Sequence, residues 1–231
     1  MTVKEKRRIS PVVRDEALVA ERHECIFRAA SRVFIRSGYH QATVREIALE
    51  AGLSLGTLYT YVRTKEDILY LVFDRLTTAL RESIGDAITG LDDPVQQIRA
   101  ALEADLKLTE QYQNEILLVY QEAKSLGKPS LHAMLTREAE YVAFFEQILQ
   151  TGYDRGVFTS DPRLSADIIT YLCSVVALRR WNLKRRFQQP EVNDGIVEFI
   201  LRGLGLDASN RSIASRPSAG PPPPPDVERP E

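Results

Sequence analysis

Cysteine is nearly absent: the 231 residues hold two, Cys25 and Cys173, far apart and without CxxC spacing. That excludes a disulfide framework and fits a reduced compartment. Histidine is as sparse. His23, His40 and His132 are scattered, and His23-x-Cys25 alone does not make a zinc site, so no metal and no cofactor are expected. No window approaches the roughly 18 consecutive apolar residues of a membrane span, and the polar, charged start has no apolar signal core. The expectation is a soluble, cytoplasmic chain with no membrane partner. Catalytic signatures are missing too: there is no GxSxG, P-loop, HExxH or Gly-rich nucleotide loop. Glu115, Glu122 and Glu138 stand singly on helical patterns without an arranged partner, so nothing points to an enzyme. No segment makes a convincing strand.

What is present is ordinary for a globular protein, 44% hydrophobic and 27% charged, but the charge is unevenly placed. Residues 1–65 hold 12 Lys and Arg against 7 Asp and Glu, and the remainder 18 against 25. A basic end on an acidic body suits nucleic acid, because cations near phosphate release counterions while the body is repelled. Residues 1–16 contain Lys4, Lys6, Arg7, Arg8 and Arg14 and are expected to be a disordered arm, either simply solvated or adding DNA contacts. From Asp207 to Glu231 the chain turns to Ser, Ala, Gly and Pro, with five consecutive prolines at 221–225, which predicts a disordered tail.

The informative stretch is TVREIALEAGLSLGTLYTYVRTKED, Thr43 to Asp67. Thr43 and Glu46 have capping-box spacing, and Val44, Ile47, Ala48 and Ala51 share one helical face. Gly52 sits where a left-handed residue ends the helix, and Ser54 is a good cap for the next. Leu55 to Val62 makes two turns, with Leu58 and Val62 inward and Leu55, Gly56, Thr57, Tyr59, Thr60 and Tyr61 outward. Thr64 and Asp67 cap a third helix. Two short helices around such a turn form a helix-turn-helix.

The run FIRSGYHQATVREIALEAGLSLGTLYTYVRTKEDIL closely resembles the N-terminal domain of TetR-family transcriptional regulators. The likeness covers about residues 20–75 without a gap. Gly38-Tyr39, Thr43, Ile47-Ala48, Ala51-Gly52, Tyr59, Tyr61 and Lys65 stand where that family has them. The resemblance implies an all-α fold of about nine helices. Residues 17–64 would be the DNA-binding head, and 65–206 a helical body for ligand binding and dimerisation. It implies phosphate contacts from Thr43, Tyr59, Tyr61 and Lys65, and a recognition face of Leu55, Gly56, Thr57 and Thr60. Arg45 suits a guanine edge, which arginine meets bidentately. Implied partners are a double-stranded DNA operator, a second copy of the chain and a small-molecule effector.

In the body, Pro94, Ser130, Asp161-Pro162 and Pro190 mark helix starts. One apolar helix is expected from about 161 to 187, ending in ALRRWNLKRRF. There Trp181 and Arg185 share a helical face among further cations. Tyr120, Tyr141, Phe144 and Phe145, with Cys173, are candidates to line an apolar tunnel. This half resembles the branch of the family that controls fatty-acid and acyl-CoA degradation, which implies an acyl chain in the tunnel and cations on the CoA phosphates. The cations equally fit a helix C-terminal dipole, with Trp181 in a dimer core. A DNA-binding module that answers to a protein partner through its proline-rich tail is the other reading.

Overall fold

The computed structural model describes residues 15–206. The expected tail, and the arm apart from Asp15 and Glu16, lie outside the described residues. Those two belong to the first helix: Asp15 caps it by accepting from Ala17 and Leu18 N–H groups.

Among the described residues the fold is all-α, with ten helices: α1 (Glu16–Ser37), α2 (Val44–Glu50), α3 (Leu55–Tyr59), α4 (Lys65–Ile88), α5 (Pro94–Gln111), α6 (Gln113–Glu122), α7 (Lys128–Asp154), α8 (Pro162–Leu178), α9 (Arg180–Lys184) and α10 (Gln189–Gly203). A short 3₁₀ turn, Ala123–Ser125, follows α6. The tenth helix arises because the helix expected to reach Phe187 breaks at Arg179 (φ −113°, ψ 16°). Five-residue α9 then restarts from Arg179, whose carbonyl accepts from Asn182 and Leu183. No residue of α9 is buried, so no packing holds it in line with α8. Another start also shifts: α7 begins at Lys128, with Pro129 in its first turn, so Ser130 lies inside the helix and not at its cap.

Two hydrophobic cores stack along α4. The first joins Ile26, Phe34, Ile47, Leu58, Ile68 and Val72 of the first four helices to Leu118 and Val119 of α6 and Met134 of α7. The second gathers α5, α7, α8 and α10 around Leu80 and Ile84, the far end of α4. The head is therefore not an isolated three-helix unit, since body residues complete its core.

The α7–α8 connection is sealed by Phe158, which is 2% exposed and lies directly on the α7 backbone at Gly152. A Cβ at Gly152 would stand 2.1 Å from the ring. Gly152→Ala should therefore destabilise the fold by about 1–3 kcal/mol through overpacking, despite alanine's better helix propensity. Urea unfolding checks this; an unchanged or higher midpoint would contradict it.

Candidate nucleic-acid interface and effector site

The reading head is built by local caps. The Thr43 hydroxyl accepts from Glu46 N–H, and the Glu46 carboxylate accepts from Thr43 N–H at 2.8 Å, closing the box at the start of α2. Gly52, at φ 67°, ends α2: its N–H donates to Leu49, and Leu53 N–H reaches back to Ala48. Ser54 Oγ then accepts from Thr57 N–H at 3.0 Å and opens α3.

The exposed front of this unit carries Leu55, Gly56, Thr57 and Tyr59 on α3, Arg45 on α2 and Thr43 at the α2 cap. Thr60 is half-buried, and its hydroxyl donates to the Thr57 carbonyl. Gly56 has no strained φ, and a Cβ there would meet nothing closer than 3.8 Å. The backbone does not require glycine at this point. It leaves the front of the helix bare.

Two expected outward residues turn inward. α3 stops at Tyr59 instead of Val62, and Tyr61 and Val62 N–H groups both fold back onto the Leu58 carbonyl. That turn carries the Tyr61 ring into the core, 5% exposed and edge-on to His23. The same burial depresses the His23 pKa by desolvation, holding that imidazole neutral. Lys65 is also reassigned. Its ammonium donates to the carbonyls of Tyr39 (2.9 Å), His40 (3.1 Å) and Ala42 (3.1 Å) and lies over the Tyr39 ring. An ammonium has three donors and all three are spent on the α1–α2 loop. An exposed cation near α3 is Arg63, in the turn between α3 and α4, which the sequence reading passed over.

The body also grips the head, at the α1–α2 loop and at the start of α4. His40 Nε2 lies 3.1 Å from Glu122 at the end of α6, and Glu66 on the first turn of α4 accepts from Gly127 N–H at 3.0 Å. Further along α4, Arg137 of α7 pairs with Asp74 at 3.0 Å and donates to Thr78 at 2.8 Å.

In the body, the expected aromatic set separates. Tyr120 is 61% exposed on α6, whereas Phe145 is fully buried and Phe144 partly so. Tyr141 and Cys173 meet around a residue the sequence reading missed, Asp105 of α5, which is 1% exposed. The Tyr141 hydroxyl, Thr109 hydroxyl (3.1 Å) and Cys173 thiol all donate to its carboxylate. No cation stands among these partners. Desolvation therefore pushes Asp105 up to about 6, the three donors offsetting only part of the effect. Burial likewise raises the Tyr141 hydroxyl and the Cys173 thiol well above their ordinary values. An acidic residue inside an apolar helical pattern was the only signal available.

The basic segment forms an open cleft of about 740 Å³. It is lined by Tyr171, Val175 and Leu178 of α8, by Asn182, Leu183 and Phe187, and by the cations Arg179, Arg185 and Arg186. Trp181 is not in that lining. It is 57% exposed, with the Arg180 guanidinium stacked on it while Arg180 donates to Asn114 at the start of α6. Of the expected pair, Arg185 lines the cleft and Trp181 does not.

A helix-turn-helix with an exposed recognition face, fused to a helical body with a cationic apolar cleft, defines a DNA-binding regulator. Residues 26–70 match the family described as bacterial regulatory proteins, tetR family, and residues 91–204 match the tetracyclin repressor-like C-terminal domain. The chain belongs to the TetR family of DNA-binding transcriptional regulators. It is 32% identical over 197 residues to the HTH-type transcriptional regulator HbdR of Aromatoleum sp. (strain CIB), covering 83% of this chain and 85% of that one. It is 30% identical over 195 residues to the HTH-type transcriptional activator FasR of Mycolicibacterium smegmatis, covering 83% and 87%. Bacillus subtilis FadR, solved in complex with stearoyl-CoA, superposes with a TM-score of 0.69 at 21% identity, over 78% of this chain and 98% of that one. At that identity the likeness shows the fold. No helix among the described residues is long and apolar enough to cross a membrane.

Two substitutions test the chemistry of these sites. Lys65→Met strips three carbonyls of their shared donor and should destabilise the head by about 1–3 kcal/mol. Operator binding would fall in step with folding, read by thermal melts beside DNA titrations. For Asp105, the folded-state pKa lies above the ordinary 3.8, so the native chain keeps a proton that the unfolded chain releases. Its contribution to stability is fully present below about pH 4 and lost as pH rises through about 6, at most about 3 kcal/mol. Wild type should therefore gain on Asp105→Asn as pH falls from 7 to 4 in urea titrations. A difference independent of pH would contradict the raised pKa.

Proposed function

We propose that this chain is a homodimeric repressor that binds a palindromic operator and releases it on binding a long-chain acyl-CoA. On the DNA side, Arg45, Leu55, Gly56 and Thr57 face base edges, while Thr43, Tyr59 and Arg63 meet phosphates. The exposure of exactly this face beside a buried Tyr61 and a committed Lys65 supports that division. One short recognition helix reads few bases, so specificity needs a second half-site and a second copy.

The second copy has a surface to use. Leu164, Ile168 and Tyr171 recur at helical spacing on the outer face of α8, 62%, 49% and 57% exposed, and Phe199 of α10 is 67% exposed. Large apolar side chains left in a row at that spacing suit a partner helix.

The cleft carries the effector reading. Three guanidiniums and a set of apolar side chains in one cleft suit a molecule with phosphates at one end and a hydrocarbon at the other. The stearoyl-CoA complex of the Bacillus subtilis structure supports that ligand class. Ligand state has a physical route to the head: Arg180 beside the cleft holds Asn114 at one end of α6, and Glu122 at the other end holds His40 of the head.

The test is binding to DNA upstream of the chain's own gene, with palmitoyl-CoA, free CoA and palmitate compared. Release by the thioester alone is expected; release by none of them would remove the effector reading and leave the regulator. On the same DNA, Arg45→Ala should lose about 1–3 kcal/mol of discrimination against a mismatched site. Tyr59→Phe should weaken specific and random DNA alike.

A further inference from the structure

The body carries a second concavity, opposite in charge to the cationic cleft. It is a groove of about 320 Å³ lined by residues of α5 and α10. Its apolar lining is Leu106, Pro190 and Val197, and its carboxylates are Glu103 and Glu110 of α5 and Asp194 of α10. All three acidic residues are exposed, and among the described residues no salt bridge engages any of them. No cation lines the groove. Lys107, between the two glutamates on α5, is outside the lining and makes a salt bridge with neither. Three like charges around one groove repel one another, and a cationic occupant relieves that repulsion.

One stretch of the same chain, outside the described residues, has the matching chemistry. Residues 1–14, MTVKEKRRISPVVR, hold Lys4, Lys6, Arg7, Arg8 and Arg14 against a single acid, Glu5, and carry Ile9, Pro11, Val12 and Val13 beside those cations. Cations for the carboxylates and apolar side chains for Leu106 and Val197 make an extended segment complementary to the groove. The arm is also tethered near enough. It joins the described structure at Asp15, and α1 rises about 18 Å from there to Phe27. The Phe27 ring meets the ring of Tyr112, at the end of α5, with centroids 6.2 Å apart, and Glu110 stands just before Tyr112. Allowing for the length of both side chains, Glu110 lies within roughly 40 Å of Asp15. An extended chain carries Lys4 to Arg8 roughly 23–40 Å from the same point. From charge, composition and reach we propose that the α5–α10 groove holds the chain's own basic arm, residues 1–14, when DNA is absent. Its carboxylates stand in for phosphates, so groove and duplex compete for one set of cations. Each arm contact with DNA then replaces a contact with the body, which lowers affinity for all DNA alike and leaves the base-reading face untouched. The latch is independent of which effector the chain binds.

Zero-length carbodiimide coupling of the full-length chain tests the contact directly, because it joins an amine to a carboxylate only where the two already meet. Peptide mapping should find Lys4 or Lys6 joined to Glu103, Glu110 or Asp194 within one chain. An excess of random-sequence duplex should suppress that product at least threefold. The second measurement is the affinity of full-length variants for the same duplex at low salt. Glu103→Gln/Glu110→Gln/Asp194→Asn alters only exposed side chains and should bind at least threefold tighter. Removing surface carboxylates strengthens DNA binding by itself, so the comparison is repeated with Lys4→Gln/Lys6→Gln/Arg7→Gln/Arg8→Gln also in place. On that background the groove substitutions should add little. An equal gain with and without the arm cations, no coupled product in the DNA-free protein, or coupling only between two chains would overturn the proposal. If the groove variant fails to fold, coupling in the wild-type chain decides alone.

Discussion

One helix serves two hydrophobic cores, and the rest of the molecule is arranged around that constraint. The N-terminal turns of α4 pack among the head helices through Ile68, Leu69 and Val72, and its later turns enter the body through Leu80 and Ile84. Because α6 and the start of α7 also enter the first core, a change in the body cannot reorient α4 without disturbing the packing beneath the recognition helix. The ion pair of Arg137 with Asp74 and its bond to Thr78 stiffen the middle of the same helix. Packed interiors are dense and switch between discrete arrangements more readily than they deform.

Much of the head was legible in the sequence because its signals are local. Thr43, Glu46, Gly52, Ser54, Thr64 and Asp67 act within a few residues of themselves, and each forms the cap or turn its position predicts. What failed was direction beyond a helix end. Tyr61 lies two residues past the end of α3, where helical spacing no longer says which way a side chain points. Lys65, a phosphate contact by resemblance, has three acceptors that lie more than twenty residues upstream, and only the folded loop gathers them.

The body was legible as helices and less so as a site. Trp181 and Arg185 have good helical spacing on paper, but spacing does not say what a side chain meets: Arg185 lines the cleft, while Trp181 is exposed and stacked with Arg180. Tyr120 looked like a lining residue by type alone, and type does not fix the face. Asp105 shows the converse: its neighbours Thr109, Tyr141 and Cys173 come from three helices, so no window of sequence holds the cluster. The apolar residues Leu164, Ile168 and Phe199 became informative once the fold left them uncovered.

The polar joint that ties the body to the α1–α2 loop and the first turn of α4 has a quantitative consequence. It consists of the His40–Glu122 contact and the Glu66–Gly127 hydrogen bond, both at partly exposed positions. Each such contact contributes about 1 kcal/mol. A signal that acts by releasing the pair, while leaving the shared core intact, therefore commands about 2 kcal/mol. That corresponds to a change in the balance of head orientations of roughly thirtyfold, well short of the ~5.5 kcal/mol a full reversal from 1:99 to 99:1 demands. Transcriptional control through this joint alone would be graded in output, with a residual level in the off state set by two hydrogen bonds.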